Sequence, residues 1–109
     1  AMSAASRKKI RRAIFKRSKG ACESCARSVT EESGRMDHQW GRGAGRPAES
    51  VENCWFLCMK CDHEKTVNDP SNSTWCERFL AHCQRNNITT ETERIEARLL
   101  WNEAKVLTP

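Results

Sequence analysis

The sequence has no long hydrophobic run and no internal repeat among its 109 residues. Only 38% of the residues are hydrophobic, and the mean hydropathy of -0.78 is that of a polar chain. A transmembrane helix needs about 20 consecutive apolar residues, so we expect no membrane association. The length predicts a single domain, residues 1–109, with a modest core. A structural metal would therefore help such a chain to fold.

Cysteine, in contrast, is abundant: the chain contains seven. A secreted, disulfide-rich protein is one alternative for so short a sequence. Three observations oppose it: the number is odd, no signal-peptide pattern precedes the cysteines, and four of them form two C-x-x-C pairs. This spacing is typical of a four-thiolate zinc site. We therefore expect a cytoplasmic protein with a structural zinc bound by Cys22, Cys25, Cys58 and Cys61.

Two further cysteines belong to a helical pattern. Four apolar side chains recur at i, i+3, i+4 and i+7: Cys76, Phe79, Leu80 and Cys83. This spacing predicts one buried helix face, on which Cys76 and Cys83 pack as small core residues and do not bind the zinc. His82 falls outside the stripe, and we expect it at the protein surface.

Helices are expected to flank the zinc-binding segment on both sides. They are predicted at about residues 6–19, 74–86 and 90–106. Ser6 is the expected N-cap of the first helix, and Thr74 with Glu77 forms a capping box for the second. Trp75 and Trp101 are expected to pack the last two helices onto the zinc-binding segment.

Two short strands and a helix are predicted between the cysteine pairs and just after them. Residues 35–40 form the first strand, and residues 54–58 form a buried second strand that contains Trp55 and Phe56. The glycine-rich loop 41–47 connects the strands, and a helix runs from Met59 to about residue 67 or 68. The expected class is α+β, with the finger core at about residues 22–68.

The net charge of +5 is concentrated near the start of the chain. Eight basic residues lie in the first twenty: Arg7, Lys8, Lys9, Arg11, Arg12, Lys16, Arg17 and Lys19. Such a run is most simply a solvated helix face, but it also suits phosphate contacts, because Lys and Arg release condensed counterions from nucleic acid. Arg42 and Arg46 lie in the loop, which is either a plain surface loop or a segment that follows a phosphate backbone.

The chemistry-bearing residues follow a recognisable order between and after the cysteine pairs. In chain order they are Asp37-His38, Asn53, the Leu57–Cys61 turn, Asp62-His63 and Lys65-Thr66. With the strand, loop, strand and helix order, this segment resembles the HNH (His-Me finger, ββα-metal) nucleases. It is most similar to the small phage and restriction members with a four-cysteine zinc site. The resemblance covers residues 22–66 and not the flanking helices.

The resemblance implies a metal-dependent DNA endonuclease. His38 would be the general base that activates water for attack on a phosphodiester. Asp37 would bind Mg²⁺ or Mn²⁺ through a carboxylate oxygen. Asn53 would hold the loop or the His38 ring, and Lys65 would neutralise a nearby phosphate.

The second ligand of the catalytic metal is expected on the helix after the last zinc cysteine. The family commonly has His or Asn at this position, whereas this chain has Asp62 followed by His63. Asp62 is the expected ligand and His63 the fallback. Two carboxylates would favour Mg²⁺ or Mn²⁺, and a His63 ligand would admit Ni²⁺ or Zn²⁺ more readily.

DNA is the expected partner. The protein is expected to be encoded by a phage or a bacterium and to act as a monomer or homodimer. Phage packaging proteins are a further expected partner. The expected DNA contacts are Arg7, Lys8, Arg11, Arg12, Arg42, Arg46 and Lys65. The alternative is a zinc-finger DNA-binding or phage-assembly module that keeps the fold and has lost the chemistry. A zinc hydrolase of small molecules is disfavoured, because four cysteines leave the zinc no open coordination position.

Overall fold

The computed structural model describes residues 4–39, 50–68 and 72–107. The elements in chain order are α1 (Ala4–Ser18), β1 (Arg35–His38), β2 (Cys54–Leu57), α2 (Met59–Thr66), α3 (Ser73–Arg85) and α4 (Thr89–Leu107). The predicted α+β class, with a two-stranded antiparallel sheet, is confirmed. Within these ranges, no helix has the length and apolar character needed to cross a membrane. Arg42 and Arg46 lie outside the described residues.

The β2 strand is buried at every position and separates two hydrophobic clusters. Successive side chains of a strand point to opposite faces. Trp55 and Leu57 accordingly pack in one cluster, with residues of α3 and α4. Cys54 and Phe56 pack in the other, against Ile14 of α1. The small sheet is thus covered by helices on both faces, which explains why β2 reads as a continuous apolar run.

β1 pairs with β2 so that Asp37 lies opposite Trp55 and His38 lies opposite Cys54. The strand ends at His38, although the sequence predicts that it continues to residue 40. This register places the Asp-His pair at the end of the sheet, where the main chain leaves the ladder.

Trp55 is the centre of the larger cluster. Its ring centroid lies 6.3 Å from that of Trp75 and 5.1 Å from that of Phe79, both with the rings nearly perpendicular. Edge-to-face pairs of this kind add to the gain from burial. Cys76 and Cys83 are fully buried on the same face of α3. The predicted core roles of Trp55, Trp75 and these two cysteines are therefore confirmed.

Three sequence-based expectations about the helices are wrong. Trp101 is 54% exposed, because the inner face of α4 is formed by Ile95 and the partly buried Leu99 and Trp101 lies two residues further round the helix. Asn72, and not Thr74, caps α3: its Oδ1 accepts the N–H of Thr74 at 2.9 Å. The expected N-cap position at Ser6 is also wrong, because the chain is already helical at Ala4.

Gly34 is buried against the ring of Phe56, just before β1. A Cβ atom at this position would lie 2.0 Å from Cε2 of that ring. The ring has little room to move, because Phe15 packs edge-on against it at 5.4 Å and the Arg11 guanidinium lies 5.2 Å above it. Arg11 also donates hydrogen bonds to the carbonyls of Glu31 and Gly34. The close approach of this segment to β2 therefore requires a residue without a side chain.

Candidate functional site

The cysteines of the two C-x-x-C pairs meet at one point. The first pair follows α1, and the second pair lies where α2 begins. The Sγ atoms of Cys22, Cys25, Cys58 and Cys61 all lie within 4.8 Å of one another, and those of Cys25 and Cys58 are 3.8 Å apart. Four sulfurs at about 2.3 Å from a tetrahedral zinc are about 3.8 Å apart, whereas a disulfide bond is about 2.05 Å long. The cluster could therefore hold a zinc ion.

Main-chain N–H groups point at the sulfurs. Cys22 Sγ accepts from the N–H groups of Ser24 and Cys25 at 3.4 and 3.5 Å, and Cys58 Sγ accepts from that of Cys61 at 3.4 Å. Burial opposes ionisation of Cys25, but hydrogen bonds from the main chain of Arg27 and from the neighbouring thiols lower its pKa to about 7. Burial raises the pKa of Cys22 and of Cys61, so the negative charge of the metal-free cluster is favoured on Cys25. Zinc binding would require the other thiols to lose their protons as well.

Glu23, inside the first pair, ties this cluster to the rest of the fold. Its carboxylate accepts two hydrogen bonds from Arg17, both 2.9 Å long, and one from the N–H of Phe56, also 2.9 Å. Its main-chain carbonyl accepts from Arg85 at 2.8 Å. One residue thus joins α1, β2 and α3 to the first cysteine pair. The sequence carried no signal for this role, because two of the three partners, Phe56 and Arg85, are distant along the chain.

His82 is completely buried, so the prediction of a surface histidine is wrong. Its Nδ1 lies 3.3 Å from Glu23 Oε2, and its ring packs 5.6 Å from Trp55 and 5.4 Å from Phe79. Burial, together with the positive charges of Arg17 and Arg85, lowers the pKa of His82 to about 3. The imidazole is therefore neutral at physiological pH.

Asp37 is held at the end of the sheet by two donors on a single oxygen. Lys65 Nζ lies 2.8 Å from Asp37 Oδ2, and Trp55 Nε1 donates to the same atom at 3.2 Å. Lys65 Nζ also donates to the main-chain carbonyl of His38 at 3.1 Å. The Lys65 side chain is only 4% exposed, whereas that of Asp37 is 20% exposed. The structure thus places the predicted phosphate contact Lys65 in an internal ion pair.

The two candidate helix ligands differ in environment. Asp62, in the first turn of α2, is half-buried, and His63 is exposed. Burial raises the pKa of Asp62, and the charge of Asp37 raises it further. The two carboxylates, on different elements, are therefore close enough to interact electrostatically. In the described ranges, only the four cysteines form a group of three or more ligand-type side chains close enough to hold a metal.

Asn53 contacts the residue that follows His38. It is fully buried, and its main-chain carbonyl accepts the N–H of Gln39 at 2.9 Å. Its own N–H donates to Ser50 Oγ at 3.1 Å. Asn53 therefore anchors the chain directly after His38.

The predicted DNA contacts on α1 are divided between the surface and the interior. Arg7, Lys8 and Arg12 are exposed. Arg11 is half-buried and uses its guanidinium within the fold, on the Phe56 ring and two carbonyl groups. Of these four predicted contacts, only Arg7, Lys8 and Arg12 therefore have exposed side chains.

Comparison with known proteins gives one type of similarity, at the level of the fold. No protein-family model matches the sequence, and no curated protein matches it. The fold is similar to part of the crystal structure of the Type II-C Cas9 enzyme from Actinomyces naeslundii, with a TM-score of 0.58 and 15% sequence identity. The similarity covers 85% of this chain and 11% of that chain, so this protein spans about a tenth of the matched structure. At this identity the similarity shows a shared fold.

Proposed function

We propose that this protein is a metal-dependent DNA endonuclease that hydrolyses phosphodiester bonds. In this proposal residues 1–109 form one HNH-type domain, with a structural zinc in the four-cysteine cluster. The observation that carries it is the position of Asp37 beside His38 at the end of β1, where Lys65 of α2 contacts the Asp37 carboxylate at 2.8 Å. Asp62 lies one helical turn before Lys65 on α2. The similarity to a Cas9 enzyme supports it, because Cas9-type enzymes use an HNH module for DNA cleavage.

The donor set suits a hard divalent cation. Asp37 and Asp62 offer carboxylate oxygens, which Mg²⁺ and Mn²⁺ prefer. Asp37 Oδ2 already has two donors, Lys65 and Trp55, but Oδ1 receives no hydrogen bond from the part of the chain that the structure describes. Asp37 therefore has an oxygen to offer without giving up those contacts. A bound ion would stabilise the negative charge that develops on the phosphate and on the leaving 3′ oxygen.

His38 is the proposed general base that takes a proton from the attacking water. Its main chain is anchored at the peptide group that joins it to Gln39. Lys65 donates to its carbonyl group, and the N–H of the next residue, Gln39, is bound by Asn53. A general base must lie within hydrogen-bond reach of its water. The contacts to the backbone restrict the position of His38 and therefore support this role. In this view Asn53 acts as a positioning residue for His38.

The exposed side chains of α1 are the proposed contacts to the DNA backbone. Arg7, Lys8 and Arg12 present positive charge to solvent on one helix, and phosphate contacts of this type give affinity without sequence preference. Arg42 and Arg46, outside the described residues, remain in the proposal as predicted loop contacts.

Cleavage of supercoiled plasmid by zinc-loaded protein tests the proposal. We expect nicked or linear DNA with Mg²⁺ or Mn²⁺, and none with excess chelator during a short incubation. His38→Ala, purified in parallel, should bind DNA with unchanged affinity and cleave at least about a hundredfold more slowly. DNA binding without cleavage, with either metal, would refute the nuclease and support the alternative of a DNA-binding module without chemistry.

A further inference from the structure

A buried ammonium group lies beside the proposed metal site. The Lys65 side chain is 4% exposed, and a lysine is almost never buried to this extent unless it is paired. Its Nζ contacts a carboxylate oxygen of Asp37 at 2.8 Å and the carbonyl oxygen of His38 at 3.1 Å. These two contacts reach the proposed metal ligand and the backbone of the proposed base. One side chain of α2 thus fixes both residues at the end of β1.

The same ammonium is a positive charge close to where a cation would bind. Asp62 and Lys65 are one turn apart on α2 and share a face of the helix. Lys65 Nζ also lies 2.8 Å from Asp37 Oδ2, so the ammonium contacts one proposed ligand directly and is one helical turn from the other. A divalent ion bound by Asp37 and Asp62 would therefore be repelled by the Lys65 charge.

We propose that Lys65 is an internal counter-ion of the metal site, a positioning residue that holds Asp37 and His38 in place and weakens the binding of the divalent ion. This inference rests on the proposed function. It assigns Lys65 a role inside the site in place of a contact to DNA phosphate. It also has a distinctive consequence, because removal of the ammonium changes metal affinity and turnover in opposite directions.

Manganese binding to the zinc-loaded protein, followed through the electron paramagnetic resonance signal of free Mn²⁺, measures the first effect. Lys65→Met removes the charge and keeps an unbranched apolar stem. One unit charge about 6 Å from a divalent ion, screened as in water, changes the affinity by roughly tenfold. We therefore expect Lys65→Met to bind Mn²⁺ roughly tenfold more tightly than the wild type.

Plasmid cleavage at saturating Mn²⁺ measures the second effect. We expect Lys65→Met to cleave at least about tenfold more slowly, because the His38 backbone loses one of its two anchoring contacts and small misplacements are costly in catalysis. A lysine with a purely structural role would give weaker metal binding together with slower cleavage. Lys65→Arg keeps the charge and should bind Mn²⁺ with an affinity close to that of the wild type.

Lys60 provides the matched control, because it is an exposed lysine on the same helix. Lys60→Met should leave the Mn²⁺ affinity within about twofold. If Lys65→Met does not fold, Lys65→Gln takes its place in both measurements. Unchanged or weaker Mn²⁺ binding by a folded Lys65 variant would overturn the counter-ion role alone. No Mn²⁺ binding by the wild type would overturn the proposed metal site and this inference together.

Discussion

Arg17 and Glu23 form an ion pair with two parallel contacts, from Nε to Oε2 and from Nη2 to Oε1, each 2.9 Å long. The Glu23 side chain is only 4% exposed, and it also bonds the N–H of Phe56 and lies beside His82. Parallel two-point contacts of this type are among the stronger hydrogen bonds in proteins. The orientation of the first cysteine pair relative to α1 and β2 therefore depends on one carboxylate.

Replacing Glu23 by alanine should lower the free energy of unfolding by about 3–5 kcal/mol, because it leaves the N–H of Phe56 and the charge of Arg17 without their partner. Urea unfolding of the zinc-saturated protein measures this loss. Glu32→Ala removes an exposed carboxylate and should cost less than about 0.5 kcal/mol. Equal stability of the two variants would contradict the central role of Glu23.

His82 should make the protein sensitive to acid. Its pKa is about 3 in the folded state against an ordinary value of 6.5, so below about pH 6.5 the unfolded chain takes up a proton that the folded protein does not. The free energy of unfolding should therefore fall as the pH drops from about 6.5 toward 3, by up to about 1.4 kcal/mol per pH unit from this group.

His82→Gln removes the titrating group, and the difference between wild type and variant isolates its contribution from that of the zinc thiolates. Urea unfolding at several pH values between 4 and 8 should show the two stabilities converging or crossing as the pH falls. Parallel stability curves would show that His82 is protonated equally in the folded and unfolded states.

Zinc should be required for the fold. We expect one tightly bound zinc per chain by elemental analysis, and loss of the folded state on chelation or in Cys58→Ser, because ligand thiolates couple metal binding to folding. Cys76→Ala is the control, since Cys76 is a core residue outside the cluster. This variant should keep its zinc. A folded, zinc-free wild type would refute the structural role.

DNA affinity should fall steeply as salt concentration rises. Each exposed cation of α1 that contacts a phosphate adds about 0.9 to the slope of log affinity against log salt. Replacing Lys8 and Arg12 by Gln should therefore flatten the slope by about 1 to 2. Arg94→Gln, on α4, should leave it unchanged. If the α1 variant retains the full slope, this helix is only a solvated face.

Asp62, and not His63, should be the helix-borne ligand. Asp62 is half-buried and interacts with Asp37, whereas His63 is exposed, and neighbouring residues on a helix point about 100° apart. We expect Asp62→Ala to reduce Mg²⁺-dependent cleavage at least about tenfold more than His63→Ala does. The reverse order of activities in the plasmid assay would assign the ligand to His63.

The sequence predicted those features that depend on local spacing. Ligand geometry sets the spacing of the cysteine pairs. Burial sets the apolar run of β2 and the helical spacing of Cys76, Phe79 and Cys83. The roles of His82 and Lys65 could not be predicted in this way. His82 is buried because Glu23, far away in sequence, provides its partner, and Lys65 contacts residues 27 or more positions earlier. Charged and polar side chains of this type owe their environment to the assembled fold.

Caps and outer helix faces were harder to predict for a different reason. Asn72 and Thr74 are both good N-cap residues, so a shift of the helix start by two residues changes which of them caps α3. Trp101 extends an apolar pattern in sequence, but α4 packs mainly against α3. Trp101 therefore remains 54% exposed, with the Arg98 guanidinium 5.2 Å from the centre of its ring.

The contact between Gly34 and the Phe56 ring has a consequence for sequence variation in this protein. A side chain of any size at residue 34 would overlap a ring that Phe15 and Arg11 hold from other sides. Even alanine, usually the mildest replacement, would force β1 away from β2 or displace the ring. In a library containing every single substitution, residue 34 should thus tolerate none of them, although it takes no part in the proposed chemistry.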